Sequence, residues 1–192
     1  MSHAPGTLIH HIMQVMTLPA PALDLFVSAA HTATLKKGAM LLVEGNRCRD
    51  IWYIESGACK VFHLKGGKEI NTNFYFENTF FTNLASLRGQ TPSLYNIQTI
   101  APSVIWRWQE DDLRRIYQQS PEIVAFGKLW LEQMLMAQEA QAHWLQVHTP
   151  EERYQLLLEN HPELLQRVSL TQLSSYIGIS RETLSRIRKK RQ

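Results

Sequence analysis

The chain has 192 residues, 44% hydrophobic and 19% charged, with a formal net charge of +3. That length suits one large domain or two small ones. Ordinary apolar content excludes disordered, collagenous and low-complexity classes, and no apolar run approaches the roughly 20 residues of a membrane-spanning helix. Between Met1 and Leu18 no basic cluster precedes a hydrophobic stretch, so no secretory signal is expected. Two cysteines, Cys48 and Cys59, make neither a disulfide framework nor a cluster site, and a reducing, cytoplasmic setting is expected.

Residues 21–30 read as a short helix after an undecided N-terminal segment in which His10 and His11 sit loosely. From Ala33 to Trp108 the texture is β. Runs at 39–43, 51–54, 58–64, 69–76, 95–100 and 104–108 are rich in Ile, Val, Tyr, Phe and Trp, with Gly38, Gly45, Gly57, Gly66-Gly67, Gly89 and Pro92 as turn signals. Short strands at such close spacing predict a sandwich or closed barrel. Trp106 and Trp108 alternate on one strand and share a face, which predicts core packing. The texture changes at Glu110-Asp111-Asp112, acids suited to the start of a helix.

Ser120 and Pro121 then open a long helix as cap and first residue, running to about Val147. Phe126, Trp130, Met134, Ala137 and Trp144 lie close to a heptad spacing on it, widened by Leu131, Leu135 and Leu145. A helix so broadly apolar cannot bury both faces against one small roll, so one face is expected to meet a second copy of the chain. Three short helices follow, each with a start signal: the capping box Thr149 to Glu152, a second box Ser169 to Gln172, and Ser180. The expected division is a β-roll over 1–120, a dimerisation helix over 121–148 and a helical domain over 149–192, an α+β class overall.

Charge is concentrated at one end. Six basic residues against the single acid Glu182 make the segment from Arg181 to Arg191 net +5, whereas everything before it is net −2. Such a segment suits a polyanionic partner. Residues 170–189 read LTQLSSYIGISRETLSRIRK. Gly178 fits the tight turn of a helix-turn-helix, Leu173, Ile177, Leu184 and Ile187 lock the two helices together, and small Ser174 permits close approach. Arg181, Glu182, Ser185 and Arg186 then point outward from the first turns of the second helix, the part that meets base edges in the major groove. Thr171, Gln172, Ser180, Arg188, Lys189 and Lys190 are the expected phosphate contacts.

A β-roll, a long helix and then Ile179-Ser180-Arg181-Glu182-Thr183-Leu184-Ser185-Arg186 resemble the Crp/Fnr-type transcriptional regulators, as do the roll segment GNRCRDIWYIESG and the start Ser120-Pro121-Glu122-Ile123. The resemblance spans about Leu23 to Lys190. It implies a cupin-like double-stranded β-roll resembling a cyclic-nucleotide-binding domain, and a homodimer binding a palindromic double-stranded DNA operator. Arg181, Glu182 and Arg186 stand at the family's base-contacting positions. A small-molecule effector and RNA polymerase are further candidate partners; a membrane is not.

The resemblance departs from its best-known members in three ways. Asn78-Thr79 and Ser93-Leu94 stand where a Gly-Glu and an Arg-Ser pair hold a cyclic nucleotide, and no arginine is placed to pair the phosphate. A buried phosphate without a cation is costly, so cAMP is not expected. The expected effector pocket is Asn78, Thr79, Asn83, Ser93 and Leu94 with Gln138 and Glu139 of the long helix, for a neutral or weakly polar ligand, or none. Two cysteines are too few for the four that commonly hold an iron–sulfur cluster. Such regulators also continue into a β-hairpin wing, whereas the sequence given ends at Gln192. The alternatives are a sensor module whose helical tail contacts protein, and a cupin enzyme. The eight histidines are scattered; His143 and His148, five apart, do not share a helix face well, and only His63 lies clearly within a strand run. No cofactor, metal site or catalytic residue is therefore expected.

Overall fold

The computed structural model describes residues 6–189. Two helices, α1 (Gly6–Val15) and α2 (Ala20–Ser28), precede eight strands: β1 (His31–Leu35), β2 (Met40–Leu42), β3 (Asp50–Ser56), β4 (Cys59–Lys65), β5 (Lys68–Tyr75), β6 (Thr79–Phe81), β7 (Asn96–Thr99) and β8 (Ser103–Gln109). A short helix, α3 (Leu84–Gly89), lies between β6 and β7. The strands form two four-stranded sheets, ordered β1-β8-β3-β6 and β2-β7-β4-β5. Then come α4 (Glu110–Gln119), α5 (Pro121–Val147), α6 (Pro150–Asn160), α7 (Pro162–Arg167), α8 (Leu170–Ile177) and α9 (Arg181–Lys189). The chain divides into two compact units inside α5. One comprises the chain up to Lys60 with Phe74–Gln133; the other comprises Val61–Asn73 with the chain from Met134 onward.

In the first unit, register explains why β3 is apolar on successive residues. Tyr53 faces Phe80 on one side and Trp106 on the other, and Ile51 pairs with Trp108. These rings share one face of the sheet, with Phe26 stacked on Trp108 at 4.7 Å and Phe126 edge-on to Phe26 at 5.5 Å. The opposite face carries Trp52 stacked on Phe81 at 5.5 Å, and Tyr75 stacks on Phe81 at 4.7 Å. A strand buried on both faces loses the alternation that marks a half-exposed one. Both expected core tryptophans are buried, and each indole N–H is satisfied: Trp106 donates to Glu55 at 2.8 Å and Trp108 to the Phe26 carbonyl at 2.7 Å.

Several elements differ from the sequence expectation. Residues 6–15 are helical, and His11 is not loose: its ring lies 5.7 Å from Tyr53 and 5.9 Å from Phe80. That packing also lowers its pKa, chiefly through desolvation. Strand β6 has three residues and α3 has six, too short for a periodicity to declare itself. A fourth short helix, α7, starts at Pro162, so among the described residues there are four after α5 rather than three.

Cys48 and Cys59 are free and buried, as two small hydrophobes would be. Burial pushes the Cys59 thiol up to about 12. We expect Cys59 in native protein at pH 8 to react with an aromatic disulfide reagent only as fast as the roll opens. Rapid labelling without denaturant would contradict this.

Candidate nucleic-acid interface

The second unit is built on caps that the sequence announces. Thr149 and Glu152 form a reciprocal capping box on α6, and Ser169 and Gln172 form one on α8. Ser180 Oγ accepts the Thr183 N–H at 3.1 Å and starts α9. Gly178 ends α8 at φ +86°, and its N–H and that of Ile179 return to the Ser174 carbonyl at 3.0 Å each. Only glycine takes that backbone conformation without strain.

Leu173, Ile177, Leu184 and Ile187 are buried, together with Ser174, as expected. With those side chains inward, Arg181, Glu182, Ser185 and Arg186 are exposed, as are Thr171, Ser180, Arg188 and Lys189. Arg186 Nη2 donates to Thr183 Oγ1 at 3.3 Å. The Glu182 carboxyl is held below its ordinary pKa, first by a backbone hydrogen bond at its own residue and then by Ser180, so it stays an acceptor at neutral pH. Gln172 is half-buried, with its side-chain oxygen engaged by the Ser169 N–H at 2.9 Å. Lys190 lies outside the described residues. The exposed face of α9 thus offers two guanidiniums, a carboxylate and a hydroxyl, with Arg188 and Lys189 toward its end.

Three side chains not anticipated from the sequence hold α8. Arg153 Nη1 donates to the Ile177 carbonyl at 2.8 Å, and its Nη2 donates to the Leu145 carbonyl. Trp144 packs on Tyr176 at 5.3 Å. Ser175 bonds to the β5 backbone. A lone arginine or mid-helix serine carries no periodic signal by which it could have been found.

On the long helix the residues of the expected dimer stripe have different surroundings. Phe126 is 3% exposed within the aromatic core of its own roll, Trp130 lies 6.1 Å from Phe80, and Trp144 meets Tyr176. Phe126, Trp130 and Trp144 of the expected dimer stripe therefore meet the chain itself, whereas Ala137 is exposed and Met134 half-buried. The free apolar line is a different one. Leu131, Leu135, Gln138, Ala142 and Leu145 are spaced 4-3-4-3 along α5, with Leu135 61% and Leu145 40% exposed. In the sequence its three leucines read only as a widening of the stripe, because both lines obey helical spacing, and only packing tells which one the chain uses itself.

The expected effector residues separate. Asn83 and Ser93 meet: Asn83 caps α3 by accepting the Ser86 N–H at 3.1 Å, and its Nδ2 donates to Ser93 Oγ at 2.8 Å. Ser93 Oγ in turn donates to the Tyr95 carbonyl at 2.6 Å. Asn78 instead sits in a left-handed turn at φ +60° and accepts the Tyr53 hydroxyl at 2.9 Å, while Thr79 Oγ1 bonds the Glu77 carbonyl. These two lie at the opposite end of β6 from Asn83. Leu94 is 75% exposed, and Gln138 and Glu139 are exposed on α5. The residues that join Asn83 and Ser93, namely Ser86, Tyr95 and the Asn46 carbonyl, include no cation.

His143 and His148 approach edge-to-face at 6.0 Å, closer than their spacing suggested, because His148 lies just past the end of α5. Among the described residues no three His, Cys, Asp or Glu converge in a way that could hold a metal ion, and no helix is long and apolar enough to cross a membrane.

Residues 32–120 match the family model of the cyclic nucleotide-binding domain. This assigns the β-roll its class: an antiparallel cyclic-nucleotide-binding-type domain followed by C-terminal helices. Solved structures extend the likeness along the chain. The c-di-GMP-responsive global regulator CLP of Xanthomonas campestris is 19% identical with a TM-score of 0.71, over 90% of this chain and 91% of that one. The catabolite activator protein of Thermus thermophilus is 17% identical with a TM-score of 0.58, over 94% and 85%. A Crp/Fnr-family protein of Eubacterium rectale is 16% identical with a TM-score of 0.64, over 90% and 83%. In fold, the chain is similar to these regulators. No curated protein matches it in sequence.

Proposed function

We propose that the protein is a sequence-specific DNA-binding transcriptional regulator of the Crp/Fnr type, acting as a cytoplasmic homodimer. The observation that carries this reading is the outward placement of Arg181, Glu182, Ser185 and Arg186 on α9, with Leu184 and Ile187 of the same helix buried. In a helix-turn-helix the second helix enters the major groove and its first turns reach base edges. An arginine there can bond guanine O6 and N7 together, and a carboxylate can accept from cytosine N4. Arg188 and Lys189 add charge toward phosphates.

The dimer reading rests on the free line Leu131, Leu135, Gln138, Ala142 and Leu145. Its 4-3 spacing is that of a coiled-coil seam, and a polar residue at its centre sets register at some cost in stability. The effector is proposed to be something other than cAMP. The neutral Asn83–Ser93 pair does not fit a phosphate, because burying that charge without a cation costs several kcal/mol.

Selection from a random duplex pool is expected to return a two-fold-symmetric site with half-sites about 10 bp apart. On that site Arg181→Ala should cost about 1–3 kcal/mol and relax preference at one position, while Lys189→Ala should weaken all sequences alike. The log–log salt slope should be steep, near −0.9 per phosphate contacted. A flat salt profile, or Arg181→Ala protein with undiminished discrimination, would overturn the reading in favour of a sensor whose helices contact protein.

A further inference from the structure

Strand β5 ends its sheet, so among the described residues its outer edge has no neighbouring strand. At that edge the second unit places a single hydroxyl: Ser175 Oγ accepts the Asn71 N–H at 2.9 Å and donates to the Glu69 carbonyl at 3.1 Å. Groups two residues apart on an edge point the same way, and a hydroxyl can donate and accept at once, so one small side chain satisfies both. Gln141 of α5 adds a neighbouring bond, its Nε2 donating to the Thr72 carbonyl at 2.5 Å. The β4–β5 turn is Gly66-Gly67, both at positive φ, the tight two-residue form that holds a hairpin in register.

Ser175 is on α8, whose buried side chains are Leu173, Ser174 and Ile177. Ser175 lies off that face and is free to bond elsewhere. We propose that Ser175 is a positioning residue: its bridge to the edge of β5 registers the α8–α9 pair on the hairpin and so fixes where the base-reading face of α9 is presented. The inference rests on the DNA-reading proposal above and names the contact that orients that site. Glu69, Asn71 and Ser175 all belong to the second unit, so the bridge is internal to it.

Asn71 is 4% exposed, so its amide has no ready water partner once the hydroxyl is removed. In Ser175→Ala the Asn71 amide is expected to exchange with solvent about 10-fold faster, the effect of one lost hydrogen bond. The amides of Leu184 and Ile187 should keep their protection. Affinity for the selected duplex, read by fluorescence anisotropy, should fall about 5- to 10-fold with an unchanged salt slope, because no phosphate contact is removed. Ser175→Thr keeps the hydroxyl and should restore both readouts; Gln141→Ala should lower affinity in the same direction. Unchanged Asn71 exchange in Ser175→Ala would overturn the bridge. Faster exchange with unchanged affinity, or equal loss of protection at Leu184 and Ile187, would overturn the positioning role. Wild-type protein that bound no duplex would overturn the DNA reading instead, with Asn71 exchange still deciding the bridge.

Discussion

Leu135→Glu is expected to dissociate the proposed dimer and, with it, to abolish tight binding to a two-fold-symmetric duplex. Leu135 is 61% exposed in the single chain and sits mid-line between Leu131 and Leu145. Fully burying a leucine is worth about 1.5–3 kcal/mol, and two-fold symmetry counts each substitution twice, so about 3–6 kcal/mol is lost before the cost of facing two carboxylates. That is a rise of roughly 10²- to 10⁴-fold in the dissociation constant, well within reach of sedimentation analysis. The comparison that makes the result specific is Trp144→Ala. Trp144 packs on Tyr176 of its own chain, so its loss should lower the stability of the helical unit and leave association unchanged. A dimer indifferent to Leu135→Glu but broken by Trp144→Ala would return the interface to the stripe first expected from the sequence.

The second large effect concerns the roll. A Cβ at Gly57 would lie 2.1 Å from Ser103 Oγ and 2.6 Å from the Pro102 carbonyl oxygen, and the residue sits at φ +97°. The backbone conformation alone costs an L-residue about 1–2 kcal/mol. Displacing a backbone carbonyl adds overpacking strain of about 1–3 kcal/mol. Gly57→Ala should therefore destabilise by about 2–5 kcal/mol, a large part of the 5–15 kcal/mol typical of a domain. Gly38 supplies the control: it has φ +87° but nothing within 4 Å of its Cβ position, so Gly38→Ala should cost only the conformational share. Urea midpoints with unchanged slopes would measure both. Equal losses at the two positions would show that contact with Pro102 and Ser103 is not what demands the glycine.

The parts of this protein legible without coordinates are those written in local chemistry. Capping boxes at Thr149 and Ser169, the Ser120-Pro121 start, the Gly66-Gly67 turn and the glycine at 178 each act within a few residues, so composition and spacing suffice to place them. The buried set Leu173, Ile177, Leu184 and Ile187 was equally readable, because two short helices joined by one turn have few ways to hide their apolar sides. Arg181, Glu182, Ser185 and Arg186 are exposed by subtraction from that set.

Tertiary structure decided whatever depends on partners distant in the chain. The side of α5 already occupied is set by Phe26 and Phe80 in the first unit and Tyr176 in the second, and no periodicity within α5 encodes them. Asn83 rather than Asn78 meets Ser93 because a three-residue strand and a six-residue helix intervene, both shorter than any pattern can reveal. Ser175 joins Glu69 and Asn71 across more than a hundred residues. A serine in the middle of a helix looks like any other until an unpaired strand edge arrives beside it. Local preference writes the elements and their ends, whereas the side of each element that stays free is a property of what else has folded against it.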